Sequence, residues 1–119
     1  YSVLDRRPAA RLAPLALERG LQLLCYGSVA GGFLAEAWRG AAEPAAALEN
    51  RSLTKYRLVI DDCGGWGAFQ RLLEALGDVA ARHGVGIANV AQRWVLDQPG
   101  TGAVIVGFRS EASARRTLA

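Results

Sequence analysis

The sequence predicts an α/β fold with parallel strands, and three observations carry that expectation. Short apolar segments alternate with helical stretches in the order strand, helix, strand, long loop with helices, strand, helix. The strand segments lack polar alternation, which predicts a sheet covered on both faces. A glycine-rich loop at residues 27–32 directly follows one of them, at the strand end where open α/β sheets bind ligands.

Taken in order, residues 1–4 (YSVL) read as the end of a strand. Pro8 suits a first helical position, and Leu12, Leu15 and Ala16 then give a short apolar stripe closed by Gly20. Pro14 inside that stripe predicts a kink or a late helix start. Residues 21–26 (LQLLCY) predict a buried strand with Tyr26 at its tip. Residues 39–51 carry Pro44 and no clean period, so an exposed excursion is expected. Ser52 is the expected cap of a short helix running to about Ile60, which residues 61–65 close. Trp66, Phe69, Leu72, Leu73, Leu76, Val79 and Ala80 recur at helical spacing, and His83 and Gly84 end the run. Ile87, Val90, Ala91, Trp94 and Val95 mark a second amphipathic helix, with Pro99 and Gly100 beyond its end. Residues 103–106 predict an apolar strand, residues 107–110 a turn, and Ser110 the cap of a final helix bearing Arg115, Arg116 and Leu118.

Composition narrows the function classes. A chain of 119 residues, 51% hydrophobic and 21% charged, has the makings of one packed domain. The net charge of +3 comes from scattered arginines, whereas a nucleic-acid binder gathers its basic residues into a patch. No apolar run approaches the ~18 residues of a membrane span, and the opening residues do not read as a signal peptide. Cys25 and Cys63 lack metal spacing and argue for no disulfide framework, so a reducing cytoplasm is the expected compartment. The chain holds no Met and opens abruptly on YSVL. It therefore reads as the back part of a larger protein.

The loop carries the chemistry. Gly27, Ser28, Val29, Ala30, Gly31 and Gly32 offer backbone N–H groups, a hydroxyl and little side-chain bulk, a combination that holds phosphates. Tyr26 would present a flat face beside it. A nucleotide cofactor is one reading, and an ordinary glycine turn is the other.

Three segments decide for the cofactor by resemblance. YSVLDRRP, LLCYGSVAGGFL and VAARHGVGIANVAQRWVLDQPGTGAVIVGFRS together resemble the aldo-keto reductases, essentially from end to end of the chain. The resemblance implies a partial (β/α)₈ TIM barrel: the end of strand six, strands seven and eight, and their helices, with residues 1–119 as its closing, cofactor-binding portion. In such barrels the working face lies at the carboxyl ends of the strands, with phosphate sites after strands seven and eight. Residues 27–32 and 107–110 fall at those two places.

The resemblance further implies an NAD(P)-dependent oxidoreductase that passes hydride between a nicotinamide and an aldehyde, ketone, alcohol or sugar. Tyr26 corresponds to the aromatic stacked on the nicotinamide. Gly27, Ser28, Val29, Gly31 and Gly32 correspond to the pyrophosphate loop. Gly107, Arg109 and Ser110 correspond to the turn that meets the adenosine 2′-phosphate, and Arg109 favours NADP(H) over NAD(H). Ser113 and Thr117 stand on the last helix where relatives carry Gln and Asn for the adenine end, and Arg116 replaces an acid. The basic residue that some relatives place late in the first loop has no clear match; Arg39 and Arg51 are its nearest substitutes.

The family's catalytic Tyr, Lys, Asp and His come from the first half of the barrel, so no catalytic residue is expected here. Lys55, His83 and Cys63 are not placed for that work, and no metal spacing exists. Trp38 and Trp66 are candidates for a substrate wall, with core packing favoured for each. Two other classes remain: a non-catalytic regulatory or cofactor-binding protein of the same fold, and a small independent α/β module. The expected partner is a small-molecule carbonyl or alcohol, with neither nucleic acid nor membrane.

Overall fold

The computed structural model describes residues 1–45, 48–108 and 110–118. Among these, the order is α1 (Leu12–Glu18), β1 (Leu23–Cys25), α2 (Arg51–Asp62), α3 (Gly65–His83), α4 (Ile87–Leu96), β2 (Thr101–Val104) and α5 (Glu111–Leu118). Single 3₁₀ turns occupy Arg7–Ala9, Ala30–Gly32 and Glu36–Trp38. β1 and β2 pair in parallel, with Leu23 opposite Thr101, Leu24 opposite Ala103 and Cys25 opposite Val104, and an irregularity between Leu23 and Leu24. Three helices cross over between the two strands, as parallel pairing requires.

The expected α/β class is present, but among the described residues two strands stand where three were expected. Residues 1–4 form a turn instead. The Ser2 N–H donates to the Asp5 carbonyl at 3.1 Å, and Ser2 Oγ accepts the N–H groups of Leu4 and Asp5 at 3.2 and 3.0 Å. A serine bonding its own backbone in this way competes with strand pairing. Tyr1 keeps one cross-chain bond, its nitrogen donating to the Tyr26 carbonyl at 3.1 Å.

The expectation of a sheet covered on both faces also fails among the described residues. Cys25 is buried, but Leu24 is 66% exposed and Leu21 62% exposed. In α1 the helix does start late, with Pro14 in its first turn, where backbone N–H groups have no intrahelical partner. Its buried face, however, is Ala13 and Ala16, while Leu12, Leu15 and Leu17 face outward.

The core lies between α2, α3, α4 and the segment after β1. Phe33, Leu34, Ile60, Leu73, Ala91 and Val95 are fully buried. Phe33 anchors an aromatic cluster, its ring centroid 4.8 Å from Trp38, 6.3 Å from Trp66 and 6.1 Å from Phe69. Both tryptophans thus pack against the core. The segment after Trp38 is tied down as well as exposed. Trp66 Nε1 donates to the Ala41 carbonyl, the Gly40 N–H donates to Gln70 Oε1, and Arg57 bridges Glu43 and Asp61.

Three caps fix the helix starts. Asn50, rather than Ser52, caps α2 by accepting the Leu53 N–H at 3.0 Å. At α4, Glu36 accepts the Ile87 N–H and Asn89 Oδ1 accepts the Gly86 N–H. Ser110 caps α5 as expected, exchanging hydrogen bonds with Ser113 in both directions. No helix among the described residues is long and apolar enough to cross a membrane.

Candidate functional site

Past β1 the chain turns sharply. Gly27, Ala30, Gly31 and Gly32 all take positive φ, at 71°, 49°, 67° and 105°. The Ala30 and Gly32 N–H groups bond inside the loop, to the carbonyls of Gly27 and Val29, both at 2.9 Å. They close the turn, so the open backbone surface is smaller than the sequence suggested.

The glycines divide into two kinds. A Cβ on Gly27 would lie 2.1 Å from Tyr56 Oη, and one on Gly31 would lie 2.7 Å from Tyr56 Cδ2. These two positions are bare so that the phenol of Tyr56, on α2 and only 8% exposed, can lie against the loop. Gly32 has nothing within 4 Å of its Cβ position. Gly32 is the glycine that keeps room open.

Ser28 is 1% exposed, and its Oγ has no hydrogen-bond partner among the described residues. A buried hydroxyl without a partner costs about 1–3 kcal/mol, and it points to a group that the protein itself does not supply.

Ser28 lines a cleft of about 870 Å³. One wall is the loop, with Gly27, Ser28, Val29, Gly31 and Gly32. The other is the segment after β2, with Ile105, Val106, Gly107 and Phe108, then Ser110 and Ser113. Eight expected cofactor-binding residues therefore meet in one place: Gly27, Ser28, Val29, Gly31, Gly32, Gly107, Ser110 and Ser113. Thr117 does not line it; its carbonyl, with that of Arg116, accepts the Asn89 side-chain amide. Arg109 lies outside the described residues. Arg39 is occupied elsewhere, bridging Glu74 and Asp78, and neither Arg39 nor Arg51 reaches the cleft lining.

Tyr26 lines a second, smaller cleft of about 370 Å³ beside β1. Its ring is 64% exposed, with Lys55 Nζ 5.4 Å above its centroid. Asp5 and Arg7 also line this cleft, and the adjacent guanidinium holds the Asp5 carboxyl below its ordinary value of 3.8. Gly27 and Tyr56 line both clefts.

Two residues of these walls, Lys55 and Tyr56, were not expected there from the sequence, whereas Trp38, a candidate wall, lines the large cleft. Leu53 and Tyr56 recur at helical spacing with Ile60, which marked a core face but not its target. Arg116 lines the large cleft, bringing a cation where an acid was the expected pattern. His83 ends α3, and Cys63 donates to the Leu4 carbonyl at 3.1 Å. No group of metal-ligating side chains exists among the described residues.

The whole chain, residues 1–119, matches the model of the aldo/keto reductase family. It belongs to that family. The chain is also similar to two curated proteins. The uncharacterized oxidoreductase YrpG of Bacillus subtilis (strain 168) is 30% identical over 119 residues, covering 99% of this chain and 32% of the relative. Flagellar radial spoke protein 5 of Chlamydomonas reinhardtii is 31% identical over 100 residues, covering 82% of this chain and 19% of the relative. The chain thus spans about a third and about a fifth of the lengths of these curated relatives.

Proposed function

We propose that residues 1–119 are the cofactor-binding, closing portion of an aldo-keto reductase barrel. The reaction is hydride exchange between a nicotinamide dinucleotide and the carbonyl carbon of an aldehyde or ketone, or the reverse from an alcohol or sugar. One observation carries this reading. The loops that follow two parallel-paired strands converge on a single cleft, and a buried hydroxyl without a partner stands in its wall.

The residues present suit the cofactor. Ser28 Oγ offers a hydrogen bond to a pyrophosphate oxygen, and Gly32 leaves the space for it. Arg116, with Arg109 by the family resemblance, supplies positive charge for a 2′-phosphate, which favours NADP(H). Tyr26, at the tip of β1, offers its exposed ring to the nicotinamide. When bound, the nicotinamide would supply or accept the hydride, and Tyr26 would orient it. Proton transfer to the substrate oxygen belongs to residues upstream of this segment.

The test uses the full-length protein that carries this segment. NADPH and NADH are titrated by fluorescence, and oxidation is then followed with simple aldehydes. Saturable NADPH binding, weakened in Ser28→Ala, together with aldehyde-dependent oxidation, is the expected result. Failure to bind either dinucleotide would sink the proposal.

A second reading rests on the relative named as a flagellar radial spoke protein. In it the same fold serves an assembly, and cofactor binding without turnover is the result that distinguishes it.

A further inference from the structure

We propose that Lys55 sets the charge class of the substrate, selecting carbonyl compounds that carry a carboxylate or similar anionic group; this rests on the reductase reading above. Three charged side chains line the 370 Å³ cleft beside Tyr26: Asp5, Arg7 and Lys55. Asp5 and Arg7 neutralise each other through a two-pronged contact, Arg7 Nε at 2.8 Å and Nη2 at 2.6 Å from the two carboxylate oxygens. Lys55 is different. Among the described residues no carboxylate pairs with it.

What holds the Lys55 ammonium is aromatic. Nζ lies 4.9 Å from the Tyr56 ring centroid and 5.4 Å from that of Tyr26. Such contacts fix a cation through the ring quadrupole and leave its three N–H donors free for an acceptor. These side chains therefore give the cleft one unmatched positive charge, set against two tyrosine faces. The ring that carries the ammonium is also the one expected beside the nicotinamide, so a carbonyl held there would place an anionic substituent within reach. Lys55 is the only lysine in a chain with 13 arginines.

The full-length protein tests this with para-carboxybenzaldehyde and its neutral methyl ester. The wild type should prefer the acid. Lys55→Gln should shrink the ratio of the two kcat/KM values by about tenfold, mainly through KM for the acid. Lys55→Arg should retain most of the preference, and added salt should erode it in the wild type. Benzoate binding, read by tryptophan fluorescence, needs no turnover and should weaken in Lys55→Gln. Benzoate binding that depends on Lys55 without aldehyde reduction would keep the anion site and remove the reductase reading. Reduction of both aldehydes with a ratio that Lys55→Gln leaves unmoved would overturn the proposal and keep the reductase. Loss of neither benzoate affinity nor selectivity would likewise overturn it.

Discussion

Replacing Ser28 by alanine should separate stability from binding. The hydroxyl is buried without a partner, so its removal raises the stability of the cofactor-free protein by about 1 kcal/mol and weakens dinucleotide affinity about tenfold. Melting curves with and without NADPH measure both effects on one sample. Gly27 and Gly32 should respond differently to alanine. Both need positive φ, which costs roughly 1–2 kcal/mol for a residue with a Cβ. Gly27→Ala additionally drives that atom into Tyr56, and a total near 3 kcal/mol is expected. Tyr56→Phe removes the nearest oxygen and should restore part of the loss, which thermal denaturation of the double variant would show. The sequence made the glycines legible, because GSVAGG after an apolar run signals a turn with special backbone angles. Tyr56 was not legible as their partner, since a contact across 29 positions leaves no local pattern. Lys55 escaped for the same reason.

Helices were read far better than strands. The seven apolar positions from Trp66 to Ala80 fixed α3, and Ile87 to Val95 fixed α4, because 3.6-residue periodicity needs about three turns to declare itself. β1 has three residues and β2 four, too few for any period. Their position follows from neighbours instead: the Thr101 N–H bonds back to the Gln98 carbonyl at 3.1 Å, so the chain leaves the Pro99–Gly100 turn directly into β2. Capping was legible only where a serine exchanged bonds with a serine, at Ser110. At α2 the working cap lies two residues before the hydroxyl that drew attention, and Asn50→Ala should cost about 1 kcal/mol where Ser52→Ala costs almost nothing. Asn89→Ala should cost more, because Asn89 both caps α4 and bonds the last carbonyls of α5. Hydrogen exchange should then show α5 opening first.

At the scale of the molecule the exposed leucines are the informative surface. Leu12, Leu15, Leu17, Leu21 and Leu24 lie outward on α1, the connection to β1 and β1 itself, and the two strands pair only with each other among the described residues. Apolar side chains beside an unpaired strand edge invite association. A 119-residue polypeptide of this sequence should therefore self-associate and bind an apolar dye. Leu24→Lys should reduce both, as light scattering and dye fluorescence would measure. The expectation of covered sheet faces came from strand composition, and composition describes what a strand wants without saying which residues provide it. Acid sensitivity also belongs at this scale. Arg7 depresses the Asp5 carboxyl, so the stability from that pair is complete above the ordinary value of 3.8 and is lost as pH falls from there through the lower folded value. Asp5→Asn should flatten the acid limb of the full-length protein's unfolding curve.

Tyr56 stands between two rooms. Its phenol faces the larger cleft on one side and the smaller on the other, and the glycines behind it have been hollowed to seat it. A dinucleotide with its pyrophosphate at Ser28 and its nicotinamide at Tyr26 would have to run past the Tyr56 side chain, so shortening it would widen the passage between the phosphate end and the aromatic end.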